Sequence, residues 1–296
     1  MKIIVTGSSG FVGQHLTELL KKDKRNCVFP LDLKQADITK YSQVKKYLAK
    51  IKPDQVYHLA GFASGAGKDK ELIFKVNVEG TLNILEALKE IERPARVLLA
   101  STAYVYGNTP KCAAENSKID AKSPYDQSKI KMEREALKYQ NTNIEIVITR
   151  ATNHTGPGQK LGFVVPDFCS QIVQVKSGDE ITVGNLSAQR DLFDVRDCVR
   201  AYKIVMDNGM PGEIYNIGTG RAVSIKEILE KIITISDKKI SYKFDPNRMR
   251  PSDIKKNCIN ANKLRKLGWE PKITFKKSLK DTYKYFKLKA KSSNAK

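Results

Sequence analysis

A chain of 296 residues is long enough to bury a sizeable core, as one large α/β unit or as two domains. Its 41% hydrophobic residues, 18 Gly and 11 Pro are those of an ordinary globular protein. There is no repeat, no low-complexity tract and no apolar run near the roughly 20 residues of a membrane span. The formal net charge of +21 raises the question of a nucleic-acid partner, but residues 255–296 hold 14 Lys+Arg against 2 Asp+Glu, more than half of the excess. That stretch lacks the aromatic interleaving of single-strand binders, so a solvated basic face is expected instead.

The first residues, Met1 to Thr6, run straight into an apolar stretch with no charged leader before it, which argues against a signal peptide. Strands are expected at Ile3–Thr6, Cys27–Leu31, Gln55–Leu59, Arg96–Ala100 and Ile144–Thr149. Helices are expected at Val12–Lys22, Ser42–Lys50, Leu72–Ile91 and Ser123–Tyr139. Alternation of this kind predicts an α/β fold, a Rossmann-type doubly wound parallel sheet with right-handed crossovers. After Arg150 the pattern loosens into Gly/Pro loops such as Thr155-Gly156-Pro157-Gly158, where a smaller α/β domain is appended. Two later pieces, Asp194–Met206 and Glu213–Gly220, read as material returning to the first sheet. The spacing of Leu279, Tyr283 and Phe286 predicts an amphipathic helix ahead of a frayed basic tail, Lys287–Lys296. Five scattered cysteines (Cys27, Cys112, Cys169, Cys198, Cys258), never spaced C-x-x-C, read as reduced thiols of a cytoplasmic protein, and no His/Cys cluster has metal-ligand spacing.

Gly7-Ser8-Ser9-Gly10-Phe11-Val12-Gly13 follows a predicted strand and opens a predicted helix, the context that gives a glycine motif meaning. One glycine makes the tight turn, one lets backbone N–H groups approach a pyrophosphate, and one allows close helix-strand packing, while the helix N-terminus favours negative charge. Asp32 ends the second strand 19 residues after Gly13, placed to accept hydrogen bonds from adenosine ribose hydroxyls. It favours NAD(H), with Lys34 and Arg25 nearby leaving NADP(H) open.

Tyr125 and Lys129, at i and i+4 of a predicted helix, share a face. A phenol titrates near pH 10 in water, too high for proton exchange at neutrality, and an adjacent ammonium stabilises its anion. Lys129 is also placed to bond a nicotinamide ribose. Strand Arg96–Ala100 runs into Ser101-Thr102-Ala103-Tyr104-Val105-Tyr106-Gly107, setting Thr102 at the carboxyl edge of a central strand, where such sheets place ligands. There it can bond a substrate oxygen on which charge develops.

With these motifs the sequence resembles the extended short-chain dehydrogenase/reductases that act on nucleotide sugars, along nearly its whole length. The matches add His58-Leu59-Ala60-Gly61, Asn77-Val78-Glu79-Gly80-Thr81 and Arg150-Ala151-Thr152-Asn153-His154-Thr155-Gly156-Pro157-Gly158-Gln159. The resemblance implies a cofactor site of Gly7, Ser9, Gly10, Phe11, Val12, Gly13, Asp32, Asp37, Ile38, Leu59, Ala60, Gly61, Asn77 and Lys129. It implies catalysis by Thr102, Tyr125 and Lys129. Substrate contacts fall to Thr102, Tyr125 and Asn153, and to Arg190 and Arg250 in the strings Gln189–Asp197 and Asp245–Asp253, whose guanidinium forks match diphosphate oxygens. His154 is read as ordering its loop. The implied division is a cofactor domain over 1–152 with return segments near 190–220, a mainly substrate-binding domain over 153–286, and a tail over 287–296.

These strings are most similar to those of the GDP-6-deoxy-D-mannose reductases, which implies reduction of a 4-keto group on a GDP-linked or related deoxysugar. The related 4,6-dehydratases carry acidic residues just after the threonine, where this chain has Ala103 and Tyr104. A 4-epimerase with tightly held NAD stays open, since it uses the same three residues. A homodimer joined through the helices over 72–91 and 123–139 is also implied, with neither membrane nor nucleic acid as partner.

Overall fold

The structure, a computed structural model, describes residues 1–62, 69–91, 93–141, 143–249 and 254–294. The first half alternates β1 (Lys2–Thr6), α1 (Phe11–Lys21), β2 (Cys27–Leu31), α2 (Tyr41–Ile51), β3 (Gln55–His58), α3 (Lys70–Phe74), α4 (Gly80–Glu90), β4 (Ala95–Thr102), α5 (Pro124–Leu137) and β5 (Ile144–Ala151). Then come β6 (Asn153–Thr155), α6 (Val164–Gln174), β7 (Glu180–Val183), β8 (Gln189–Asp194), α7 (Val195–Asn208), β9 (Ile214–Ile217), β10 (Ala222–Ser224) and α8 (Ile225–Ser236). β11 (Ser241–Phe244), β12 (Lys256–Asn257), α9 (Asn262–Arg265) and α10 (Phe275–Asn294) complete the chain.

Runs such as Val97-Leu98-Leu99 and Ile146-Val147-Ile148 are buried on both faces, which only a sheet covered on both sides can use. They form the centre of a six-stranded parallel sheet ordered β2-β1-β3-β4-β5-β9. On one face α2, α4 and α5 bury Leu48, Leu85 and Met132. On the other, α1 and α7 bury Leu16, Leu20, Tyr202 and Val205 with Trp269. This is the Rossmann-type doubly wound sheet, and its strand order reverses between β1 and β3, so the carboxyl ends of those strands flank the crevice where such sheets bind ligands. β9 brings the chain after residue 210 back beside β5.

A smaller body is built around β8, which pairs antiparallel with β10 and parallel with β12 and β6. β7 pairs with β11, and α6, α8 and α10 close a separate core of Phe168, Ile172, Leu229, Leu279, Tyr283 and Phe286.

Three readings of the sequence need correction. The stretch from Lys287 is not frayed as far as Asn294: it continues α10, whose stripe of Leu279, Tyr283 and Phe286 lies in the core of the smaller body. The helix expected over 72–91 is interrupted by a π-helical turn at Lys75–Glu79, whose extra residue re-aims Asn77 inward. Cys112 and Cys258 are not reduced thiols: they form a disulfide, 146 residues apart in sequence, with Cα atoms 4.6 Å apart. The cause is tertiary, because Ala113 bridges to Ile259 and so seats the two preceding cysteines side by side. Cys27, Cys169 and Cys198 are free.

Candidate active site

The glycine turn leaves β1 with Gly7 at φ +66° and its N–H on Leu31 O at 3.0 Å, which joins the ends of β1 and β2. A Cβ on Gly13 would stand 2.1 Å from Gly7 O, so only glycine lets α1 pack this close to the turn. The α1 N-terminus has no capping side chain and no acidic residue in its first turn. Its backbone N–H groups therefore suit a dinucleotide pyrophosphate, and the cradle fits the expected cofactor. Asp32 sits at the end of β2, where one carboxylate oxygen accepts from Ser8 Oγ at 2.6 Å and Ser9 N at 3.1 Å. Arg25 forks onto Asp23 instead, while Lys34 is exposed beside Asp32. Asp37 caps its own turn by accepting from Thr39, and Ile38 is buried in the core under Gly80. Phe11 and Val12 line the start of α1, Phe11 stacking on His154 at 6.2 Å.

Leu59, Ala60 and Gly61 leave β3 against this turn, with the Leu59 and Ala60 N–H groups both on Thr6 Oγ1. Thr6 in turn meets His58 Nδ1 at 2.8 Å, and His58 Nε2 meets Thr81 Oγ1 at 2.9 Å. Burial pushes His58 down to about 3, so it stays neutral and braces the two elements. Asn77 joins the β3 exit to the helix of Tyr125 and Lys129: its Oδ1 accepts from Phe62 N at 2.9 Å, its Nδ2 donates to Ser128 Oγ at 2.9 Å, and Ser128 Oγ donates to Tyr125 O at 2.7 Å.

Helix α5 starts where Ser123, Pro124 and Asp126 require it, with Pro at the first turn and a reciprocal Ser123–Asp126 capping box. Tyr125 therefore stands in the first turn, and Lys129 one turn deeper is 6% exposed. Thr102 ends β4, where its Oγ1 accepts from Tyr104 N at 3.2 Å. Burial pushes the Tyr125 phenol well above its ordinary value, and the nearby Thr102 hydroxyl opposes that shift. Lys129 Nζ donates to Ala100 O at 2.9 Å. Burial lowers this ammonium to about 8, against the pull of Glu133.

Glu133, one further turn along α5, escaped the sequence reading. It takes Arg150 in a two-pronged bond, Nε at 3.0 Å and Nη2 at 2.5 Å, and also receives Ser101 Oγ. Arg150 Nη1 reaches Tyr106 Oη at 2.9 Å, and Tyr106 donates to Asn216 Oδ1 at 2.9 Å. Burial disfavours the Arg150 charge, yet the Glu133 carboxylate holds its guanidinium above the ordinary value. The i+4 step from Lys129 to Glu133 was the one signal in sequence.

On the side facing the smaller body, Asn153 and Arg190 converge through a third residue, Tyr104. Its phenol donates to Asn153 Oδ1 at 3.2 Å and accepts from Arg190 Nε at 3.2 Å. The acidic residues of the string around Arg190 are structural. Asp191 clamps Thr219 and Gly220, Asp194 caps α7, and Asp197 holds Arg200 and Ile273 N. His154 packs between Phe11 and Phe193 with its Nδ1 on Thr152 O at 3.0 Å, which orders its loop. Arg250 lies outside the described residues. An apolar cleft on the smaller body is walled by Val183, Leu186, Tyr242, Phe244 and Met249. No group of His, Cys, Asp and Glu among the described residues is arranged to hold a metal ion.

The doubly wound sheet and the comparisons that follow make this an NAD(P)-dependent enzyme of the extended short-chain dehydrogenase/reductase type. A family model described as GDP-mannose 4,6 dehydratase matches residues 21–282, and the chain belongs to that family, among whose relatives are nucleotide-sugar reductases, dehydratases, decarboxylases and epimerases. It is 31% identical over 289 residues to the GDP-6-deoxy-D-mannose reductase of Pseudomonas aeruginosa, covering 94% of this chain and 95% of that one. The structure of RMD from Pseudomonas aeruginosa complexed with NADPH superposes with a TM-score of 0.88 at 29% identity, covering 97% and 99% of the two chains. The Thermus thermophilus UDP-glucose 4-epimerase complexed with NAD gives 0.87 at 28% identity, with the same coverage.

Proposed function

We propose that this protein is a nucleotide-sugar 4-ketoreductase, reducing the 4-keto group of GDP-4-keto-6-deoxymannose or a related 4-keto-6-deoxyhexose nucleotide. The observation that carries this reading is the side chain beside the Thr102–Tyr125 pair. The dehydratases of this family keep an acid there, whereas this chain places the phenol of Tyr104. Without a carboxylate at that position the elimination lacks a positioned acid or base.

In this mechanism Thr102 orients the keto oxygen, and Tyr125 delivers a proton to it. Lys129, one turn along α5 from Tyr125, holds the nicotinamide ribose. Gly7, Ser9, Gly10, Phe11, Val12 and Gly13 hold the pyrophosphate, Asp32 the adenosine ribose, and Leu59, Ala60, Gly61 and Asn77 the far side. The bound nicotinamide supplies the hydride. Asn153 meets the sugar, Arg190 and Arg250 the diphosphate, and the cleft by Tyr242 and Phe244 receives the base. Asp32 favours NADH, and the NADPH held by the Pseudomonas RMD keeps NADPH as the second choice. Residues 1–152, with the return near 190–220, form the cofactor domain and 153–286 the substrate domain. A homodimer through α3, α4 and α5 completes the assembly, working in the cytoplasm. Among the described residues no helix is long and apolar enough to cross a membrane.

The test is incubation with GDP-, dTDP- and UDP-4-keto-6-deoxyhexoses while NADH and NADPH oxidation is followed. Stoichiometric oxidation with the GDP sugar is expected. No oxidation with any of the three overturns the proposal. A 4-epimerase is the second reading, supported by Asp32 and by the Thermus structure with NAD. Cofactor retained through purification, with isomerisation and no net oxidation, establishes that reading instead.

A further inference from the structure

Tyr104 has no role in the scheme beyond the acid it displaces, yet it contacts Thr102, Asn153 and Arg190 together. Its backbone N–H donates to Thr102 Oγ1 at 3.2 Å. Its ring lies under the Arg190 guanidinium, 5.9 Å from centroid to carbon, and its phenol bridges Arg190 Nε and Asn153 Oδ1. The polarity of this chain of bonds follows from chemistry. Arginine has donors only, so the Tyr104 oxygen accepts from Arg190 and its single proton must go to Asn153. The Asn153 atom facing Tyr104 is then the carbonyl oxygen, and the amide N–H donors turn away from it. Cooperative polarisation along such a chain strengthens each bond.

We infer that Tyr104 is a specificity-determining residue: through the Arg190, Tyr104, Asn153 relay it fixes the Asn153 amide with its N–H donors toward the substrate. The sugar subsite thereby selects a hexose oxygen that accepts a hydrogen bond. The relay also ties that orientation to the arginine assigned to the diphosphate. This rests on the proposed substrate roles of Asn153 and Arg190, though not on the direction of the redox step. Without the phenol proton the amide has no reason to keep this orientation, and turning it would present a carbonyl, which cannot bond a keto oxygen.

The experiment compares full-length wild type with Tyr104→Phe by calorimetry in the absence of reduced cofactor, using GDP-4-keto-6-deoxymannose against GDP and UDP-4-keto-6-deoxyglucose against UDP. The ratio of the two dissociation constants in the preferred pair isolates the sugar. It is expected to shrink about tenfold in Tyr104→Phe, the worth of one well-made polar contact. NAD(H) affinity, read by fluorescence titration, stays within twofold. In an Asn153→Ala background the same substitution changes the ratio by less than twofold, because the two residues act as one unit. A ratio unchanged in Tyr104→Phe overturns the inference, as does an equal loss in the Asn153→Ala background or a parallel loss of cofactor affinity. Wild type that binds with the expected ratio yet oxidises no cofactor overturns the reductase reading while this inference stands. Wild type that reduces keto-sugars while Tyr104→Phe keeps its ratio does the reverse.

Discussion

Tyr125 and Lys129 are paired by helix geometry, but their charges are set by different neighbours. Burial holds the phenol protonated at neutrality, the state a proton donor needs, and Thr102 moderates that effect. Tyr125→Phe removes the donor and is expected to lower turnover about 10²–10⁴-fold while cofactor affinity holds; comparable turnover in the purified variant refutes the role. Lys129 titrates at about 8, so it is an ammonium below that pH and a neutral amine above it. A rate that depends on the ammonium is therefore kept below about 8 and lost with unit slope above it, and a flat profile from pH 7 to 9.5 counts against the role. The placement of Tyr125 and Lys129 one turn apart on α5, and of Thr102 at the end of β4, was legible in the sequence because a four-residue step and a strand end are local signals. Glu133, Arg150, Tyr106 and Asn216 were not: Arg150 reaches back 17 residues to Glu133, and Tyr106 meets Asn216 across 110. No periodicity encodes partners made by tertiary folding.

Helices and strands were read well where an apolar pattern and a start signal coincide. The Ser123 capping box with Pro124 fixes α5 to the residue, and the alternation of runs gives all five early strands within a few positions. The π-helical turn around Asn77 was invisible, since one extra residue in a turn leaves the amphipathic stripe almost intact. At this scale the turn joining β1 to α1 makes the sharpest prediction. Gly13→Ala would drive its Cβ into Gly7 O and Ser8 Cα, both backbone atoms that cannot step aside. Cofactor affinity is expected to fall at least a hundredfold by fluorescence titration, with a stability loss of about 1–3 kcal/mol from overpacking. Undiminished affinity in a folded variant removes the turn from the cofactor site.

For the molecule as a whole, the doubly wound parallel class of the sheet was legible because alternating strands and helices with right-handed crossovers leave few topologies. The contacts between the two bodies were not. The disulfide belongs to this scale. A bond closing a loop of this length stabilises by about 2–5 kcal/mol through the unfolded chain. Cys112→Ser, or dithiothreitol on the wild type, should therefore lower the urea midpoint alike, and a midpoint insensitive to both means the bond contributes nothing. Such bonds are rare in reducing compartments, so its persistence in cell extracts made under thiol-blocking conditions bears directly on where the protein works.

The same bond makes residues 112–258 a covalent ring, and Tyr125, Lys129, Asn153 and Arg190 all lie on its circumference. A single protease cut anywhere on that ring opens it without releasing a fragment. The nicked protein would run as one species on a non-reducing gel and as two after reduction, with Thr102 and Arg190 still parts of one molecule until the thiols are freed.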